Sequence, residues 1–186
     1  LRLEDNRDAR LTGSLIHACF EQVDWLEDGS PADDLLKEEL RRIEGASQNA
    51  IKSAIASFRR MIKRPNTANL LRRDQFETDL FNSFDEYRVE KERAFAVRLD
   101  EGLLHGFIDR LVLLVRDGKI VAADVVDFKT DELTPGDRET LHQRVAVYKP
   151  QIQSYRDAVA AIYGLSRDDV SARLMFVAID QAVPID

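Results

Sequence analysis

Three residues of this 186-residue chain have the types and the spacing that chemistry at a metal ion requires: Asp109, Asp127 and Lys129. Asp109 closes the segment Gly-Phe-Ile-Asp, and Asp127 follows eighteen residues later in the segment Val-Val-Asp-Phe-Lys-Thr. Because alternate side chains of a β-strand share a face, Asp127 and Lys129 are expected to project together, while Val126 and Phe128 enter the core.

Two carboxylates and an ammonium group are therefore expected to meet at the end of neighbouring strands. Acidic groups at a partly buried edge repel one another unless a cation neutralises them, which predicts a divalent-metal site with Asp109 and Asp127 as ligands. A bound cation supplies a nucleophilic water and stabilises developing charge on a phosphoryl group and on its leaving oxygen. Lys129 is expected to orient the attacking water or to stabilise the transition state. The predicted reaction is hydrolysis of a phosphodiester.

The composition is that of a soluble globular protein, with 44% hydrophobic and 33% charged residues. A chain of this length buries roughly 70% of its unfolded surface as one domain. We therefore expect a single domain over residues 1–186, with a mainly helical part over 1–73 and an α/β catalytic core over 86–180. The first residue is Leu1, so we expect a fragment whose companion domains are missing.

Neither a membrane nor an oxidising compartment is indicated. No apolar run approaches the ~20 residues that span a bilayer, so we expect no membrane partner. The single cysteine, Cys19, excludes a disulfide framework within the chain and any four-cysteine metal site, and it points to a reducing interior.

The formal net charge is −7, yet no acidic residue lies between Glu44 and Asp74. A local basic patch can follow phosphates whatever the overall charge of the protein. The alternative is an ordinary solvated helix face. The residues that we predict to contact DNA are Lys52, Arg59, Arg60, Lys63 and Arg64.

Hydrophobic periodicity changes from helical to strand-like along the chain. Helices are predicted over 12–27 and 33–44, followed by a third whose buried stripe is formed by Ile51, Ile55, Phe58 and Ile62 and which ends at Pro65. Strands are predicted over 88–99, 104–116, 119–129 and 172–179, with a tight hairpin at Asp117-Gly118 and a helix from Pro150 to Tyr163 before the last strand. This order predicts an α/β fold with a mixed central sheet flanked by helices, in which a three-strand meander is followed by a helix and a strand.

Five short segments together resemble a known family. They occur in the order Gly13 to Glu21, Glu92 to Phe95, Gly106 to Asp109, Asp127 to Thr130 and Gln151 to Tyr155. The set resembles the PD-(D/E)xK nuclease superfamily, specifically the RecB/AddA-type nuclease domain that forms the C-terminal part of bacterial helicase–nucleases. The resemblance spans about Thr12 to Ile179.

The resemblance implies a restriction-endonuclease-like core and a metal-dependent deoxyribonuclease, an exonuclease in preference to an endonuclease, in bacterial recombinational DNA repair. It implies Mg²⁺ as cofactor, with Mn²⁺ able to substitute, and a cytoplasmic location. The expected partners are DNA and a helicase motor, either in the same full-length chain or in a partner helicase–nuclease subunit.

The resemblance also implies further site residues. The backbone carbonyl of Phe128 and a nitrogen of His17 would complete the metal shell, and Glu92 would bind the metal through water. Whether Glu90 or Glu92 faces the site stays open. Gln151 and Tyr155 share one helical face and are predicted to act beside Lys129 or the scissile phosphate, although ordinary half-buried helix polarity would also explain them.

Two functions of other classes compete with catalysis. The first is a nuclease-like module that binds DNA ends or a partner protein without catalytic activity. The intact set of Asp109, Asp127 and Lys129 argues against it. The second is a metal-stabilised structural module between helicase domains, which would bind its ion tightly without turnover.

Overall fold

The computed structural model describes residues 2–77, 84–99 and 102–186, in two compact units, Leu1–Arg72 and Arg73–Asp186. The N-terminal unit is helical and the C-terminal unit contains a sheet. The expectation that residues 1–186 form one domain stays a prediction.

The N-terminal unit consists of four α-helices, α1 (Arg2–Glu21), α2 (Asp33–Leu40), α3 (Gln48–Met61) and α4 (Pro65–Leu70). Helix α3 begins where the Ser47 hydroxyl accepts a hydrogen bond from the Ala50 N–H. Its predicted apolar stripe is confirmed, because Ile51, Ile55 and Phe58 are buried.

Three predicted helix boundaries in this unit were wrong. Helix α1 begins about ten residues earlier than predicted and ends at Glu21, not at residue 27. The Leu26 N–H is bonded to the Leu71 carbonyl at 3.0 Å, so a tertiary contact replaces the last predicted turn with a short 3₁₀ helix. Helix α2 ends at Leu40 in place of residue 44, and the chain turns before Gly45, whose φ is 84°. Periodicity alone does not detect such contacts.

The C-terminal unit is built on a five-stranded sheet in the order β1-β2-β3-β4-β5. The strands are β1 (Glu86–Leu99), β2 (Gly102–Arg116), β3 (Lys119–Lys129), β4 (Val170–Phe176) and β5 (Gln181–Pro184), and helix α5 (Arg138–Tyr163) lies between β3 and β4. Strands β3 and β4 are parallel, whereas the other neighbours are antiparallel. The predicted mixed α/β sheet is therefore confirmed, and β5 is an edge strand that the sequence did not reveal.

The β2–β3 hairpin has the predicted turn. Asp117 and Gly118 both have positive φ, 51° and 70°, as the two-residue turn that matches strand twist requires. The register set by this turn shifts by one residue between Val115 and Leu114, and the shifted register pairs Arg110 with Val126 at the opposite end of the hairpin.

Helix α5 covers one face of the sheet and is longer than predicted. Its buried residues Ile152, Tyr155, Ala158 and Val159 belong to the same hydrophobic core as β2, β3 and β4. The prediction that Pro150 begins this helix was wrong, because Pro150 lies inside it. Ala146 and Pro150 are both exposed, so water can bond the Ala146 carbonyl that proline leaves without its usual donor. Within the described ranges, no helix has both the length and the apolar character that a membrane span needs.

Candidate metal centre

The end of β3 carries a buried ion pair. The Lys129 Nζ lies 2.6 Å from the Asp127 Oδ2, and the two side chains are 15% and 6% exposed. Val126 and Phe128 are buried. The strand alternation thus arranges these side chains as expected, with the aspartate and the lysine together.

Asp109 is fixed against the same strand by a hydrogen bond to the backbone. The β2–β3 ladder ends at Arg110 and Val126. Beyond that pair, the Phe128 N–H donates to the Asp109 Oδ2 at 2.7 Å. The carboxylate thus serves as acceptor where the backbone ladder has ended, which holds Asp109 at the edge where β2 and β3 diverge.

Glu92, on β1, supplies a third carboxylate. Lys91 pairs with Arg110 and Arg93 with Ile108, so Glu92 lies opposite Asp109. A carboxylate oxygen of Glu92 and one of Asp109 lie within 4.8 Å of each other. Glu92 has a φ of 46°, which is uncommon for a residue other than glycine and costs ~1 kcal/mol or more.

The neighbouring Glu90 has different partners. Its carboxylate accepts a hydrogen bond from the Tyr163 hydroxyl at 3.3 Å and pairs with Arg93 at 3.0 Å. Of the two glutamates that the sequence left open, Glu92 is therefore the one beside Asp109.

Helix α5 presents a tyrosine and a glutamine to this acidic group. The Gln151 amide nitrogen donates to the Tyr155 hydroxyl at 2.8 Å. Burial raises the pKa of Tyr155, and the negative charges of Asp127, Asp109 and Glu92 raise it further, whereas the bond from Gln151 lowers it. All three carboxylates therefore act on one phenol.

The close approach of Tyr155 to the sheet depends on Gly106. A Cβ atom at position 106 would lie 3.1 Å from the Tyr155 Cε1 and 3.3 Å from the Phe95 Cε1. The two rings meet edge to face, with centroids 5.3 Å apart. Glycine at this position leaves the space in which the phenol can reach the carboxylates.

These contacts fit a hard divalent cation. Glu92, Asp109 and Asp127 carry three negative charges; Glu92 and Asp109 lie within 4.8 Å of each other, and Asp127 pairs with the ammonium group of Lys129. Carboxylate oxygens are the ligands that Mg²⁺ and Mn²⁺ favour, and a divalent ion would offset the surplus negative charge. The carbonyl of Phe128 as a further ligand stays a prediction.

His17 and Cys19 both lie on α1 of the N-terminal unit. His17 is half-buried, and its role as a nitrogen ligand stays a prediction. Cys19 is fully buried, and burial raises the pKa of its thiol to about 12. A thiol that stays protonated at neutral pH is a poor nucleophile, so Cys19 is a core residue.

The predicted DNA-contacting cations do not share one environment. Lys52, Arg60 and Lys63 are exposed. The Arg59 guanidinium instead bonds the Ser30 hydroxyl at 2.9 Å and Asp33 at 2.6 Å, and it also contacts the Pro31 carbonyl. Arg59 thereby joins α3 to the start of α2. A DNA phosphate could bind Arg59 only in competition with these bonds.

Tyr148 and Asp131 were not identified in the sequence. The Lys129 Nζ lies 4.1 Å from the centre of the Tyr148 ring, and the Tyr148 hydroxyl donates to the Asp131 carboxylate at 3.0 Å. Tyr148 precedes Gln151 by three residues and Tyr155 by seven, which places the three on one helical face. That spacing is the signal that could have revealed it.

Comparison with known proteins gives one family match. Residues 1–184 match the profile of the PD-(D/E)XK nuclease superfamily. A comparison with curated proteins gave no match. Among solved structures, the chain is similar to protein VC1899 from Vibrio cholerae, with 14% identity and a TM-score of 0.28. That alignment covers 97% of this chain and 43% of the other, and a similarity this low carries no functional argument.

Proposed function

The chain belongs to the PD-(D/E)XK nuclease superfamily, and from this membership and the site geometry we propose that it is a divalent-metal-dependent deoxyribonuclease. The observation that carries the proposal is the grouping of three carboxylates at one end of β3: Asp109 accepts a bond from the Phe128 N–H, Glu92 lies within 4.8 Å of Asp109, and Lys129 is 2.6 Å from Asp127. Carboxylates in this number beside one ammonium group are chemically suited to a bound cation.

Asp109 and Asp127 would hold the cation, and Glu92 would join them directly or through water. When bound, a divalent ion lowers the pKa of water and stabilises charge on phosphoryl oxygens. We assign to Lys129 the orientation of the attacking water or the stabilisation of charge in the transition state, because Asp127 already holds its ammonium group in place. Gln151 and Tyr155 would orient the scissile phosphate through their joined polar groups.

Mg²⁺ is the proposed cofactor and Mn²⁺ the proposed substitute. Both accept oxygen ligands, and Mn²⁺ also accepts an imidazole, which the expected role of His17 would supply. We further propose that the domain acts on DNA strands delivered by a helicase motor, in bacterial recombinational repair in the cytoplasm, and that it degrades strands from an end. The order of the five sequence segments supports this setting.

Cleavage assays on matched lysine variants test the proposed activity. Labelled single- and double-stranded DNA is incubated with the protein in Mg²⁺, Mn²⁺ or chelator. Lys129→Ala removes the lysine at the end of β3, and Lys119→Ala removes an exposed lysine at the start of the same strand. We expect cation-dependent cleavage that falls ~10²–10³-fold in Lys129→Ala and is unchanged in Lys119→Ala.

Two results would overturn the assignment. Cleavage that continues in chelator would exclude the metal-dependent reaction, and equal rates for the two lysine variants would move the catalytic centre away from Lys129. Substrates with blocked ends separate the two nuclease modes, because an exonuclease requires a free end.

The exposed cations Arg60, at the end of α3, and Lys63, just after it, provide a separate test of DNA binding. Arg60→Glu with Lys63→Glu should weaken DNA affinity and reduce the salt dependence by about one released counterion for each lost phosphate contact. Arg42→Glu, in the turn that follows α2, is the control, because Arg42 already pairs with Glu38 and Glu39. An unchanged salt slope in the double variant would remove α3 from the DNA-binding surface.

A further inference from the structure

Two neighbours constrain the ammonium group of Lys129. The Asp127 carboxylate contacts it at 2.6 Å, and the Tyr148 ring face lies 4.1 Å away. An ammonium group within ~6 Å of an aromatic centroid is attracted to the negative face of the ring. Lysine has a flexible four-carbon stem, so contacts of this kind determine where its charge lies.

The Tyr148 ring is itself held in place by a hydrogen bond to Asp131, which in turn pairs with Arg144. Its hydroxyl is 3.0 and 3.1 Å from the two Asp131 oxygens, and Arg144 pairs with Asp131 at 3.4 Å. Burial and the Asp131 charge raise the pKa of Tyr148, so the phenol keeps its proton and donates to Asp131. Donation to a carboxylate increases electron density on the ring and thereby strengthens its attraction for a cation.

We propose that Tyr148 is a positioning residue for Lys129, oriented in turn by Asp131. This inference rests on the proposed nuclease function, because it assigns a way of holding the catalytic lysine of that site. The ring attracts the ammonium group without competing for the oxygen atoms of Asp127. Lys129 therefore has an anchor that does not depend on the carboxylate that we assign to the cation.

A packing role would have different consequences. Tyr148 also approaches Phe176, with ring centroids 6.4 Å apart. Loss of packing alone would lower stability and leave the turnover of the folded protein unchanged. Tyr148→Phe retains the ring and loses the bond to Asp131, whereas Tyr148→Leu loses both.

Tyr163→Leu is the matched control. Tyr163 lies on the same helix, is also half-buried, and its hydroxyl also donates to a carboxylate, that of Glu90 at 3.3 Å. It therefore reproduces the loss of a hydrogen-bonded tyrosine from α5 without the contact to Lys129.

Steady-state cleavage and unfolding are measured for the three variants. We expect kcat to fall about tenfold in Tyr148→Leu, with KM for DNA unchanged, because only the placement of the lysine is altered. Tyr148→Phe should keep kcat within about threefold, since the ring face remains. Tyr163→Leu should keep kcat while losing as much stability as Tyr148→Leu. Equal kcat for the two leucine variants would overturn the inference and leave the nuclease function intact.

A second measurement does not depend on activity. In ¹³C-resolved NMR spectra, the Lys129 ε-methylene should be shifted upfield by the Tyr148 ring, and the shift should disappear in Tyr148→Leu and persist in Tyr148→Phe. Wild-type protein with this shift but without cleavage would contradict only the proposed function. Absence of the shift in the wild type would contradict the positioning role, whatever the activity.

Discussion

Strand β3 carries two buried aspartates, Asp124 and Asp127, only three residues apart in sequence, and the balance of charge around them differs. Asp124, with a side chain 2% exposed, is bonded by the Arg173 guanidinium and by the Ser171 hydroxyl at 2.5 Å. Asp127, 6% exposed, pairs with Lys129 on the same strand. Each aspartate has a cation, so a buried ion pair does not by itself distinguish a structural site from a functional one.

The difference lies in the balance of charge. At Asp124 one guanidinium, which contacts both carboxylate oxygens, balances one carboxylate. At Asp127 the negative charges of Glu92 and Asp109 are added, and all three raise the pKa of Tyr155. A protein that folds with such a surplus has a site suited to an external cation. We infer that the Asp124 cluster stabilises the sheet and that the Asp127 cluster performs chemistry.

The largest expected difference concerns activity. Asp127→Asn should reduce cleavage by at least ~10²-fold, because the site loses a ligand and the partner of its lysine. Asp124→Asn should leave kcat within about twofold, measured under conditions in which both variants are folded. Similar losses in both variants would mean that the two clusters do not divide their roles.

The free energy of unfolding should fall more when Asp124 is replaced than when Asp127 is replaced. Asp124→Ala leaves the Arg173 guanidinium without its carboxylate in a mostly buried place and should cost about 3 kcal/mol in the free energy of unfolding. Asp127→Ala should cost less, because it also relieves repulsion from Glu92 and Asp109. Urea unfolding without divalent ions measures both values. An equal or larger loss of stability in Asp127→Ala would contradict the assignment of the structural role to Asp124 and of the catalytic role to Asp127.

An added divalent cation should stabilise the protein only by binding to the carboxylates of Glu92, Asp109 and Asp127. At a Mn²⁺ concentration of about 100 Kd, the folded state gains ~2.7 kcal/mol relative to the unfolded chain. The gain should persist in Asp124→Asn and vanish in Asp109→Asn. Thermal unfolding with and without Mn²⁺ measures it, with Ca²⁺-free buffer and chelator as reference. A gain that survives in Asp109→Asn would place the cation elsewhere.

The smallest effect concerns Glu92. Glu92→Gln removes one of the three negative charges and should raise the metal-free stability by up to ~1 kcal/mol, while weakening Mn²⁺ binding. The matched change Glu90→Gln removes the charge that pairs with Arg93 and should lower the stability slightly. Chemical denaturation of the two variants side by side decides whether surplus charge is present at Glu92.

The sequence revealed the sheet better than the helices. Alternating residues and the Asp117-Gly118 turn predicted the meander, since a strand's period and a two-residue turn are local properties. The end of α1 and the passage of α5 through Pro150 escaped prediction. Both depend on tertiary contacts or on solvent exposure, which local patterns do not contain.

The site was predictable where it follows strand alternation, as for Asp127 and Lys129. The choice of Glu92 over Glu90 was not, because it depends on the backbone of Glu92, with its φ of 46°. The ring of Tyr148 beside Lys129 required the packing of α5 on the sheet, which brings together residues nineteen positions apart. The internal bonds of Arg59 likewise depend on a loop that sequence charge alone does not locate.

The central claim is that Glu92, Asp109 and Asp127 surround a divalent cation. Anomalous diffraction from crystals soaked in Mn²⁺ tests it most directly. We predict one strong peak within ~2.5 Å of oxygen atoms of Asp109 and Asp127, and its disappearance in Asp109→Asn crystals. Mn²⁺-soaked wild-type crystals with no peak among these carboxylates would contradict the account.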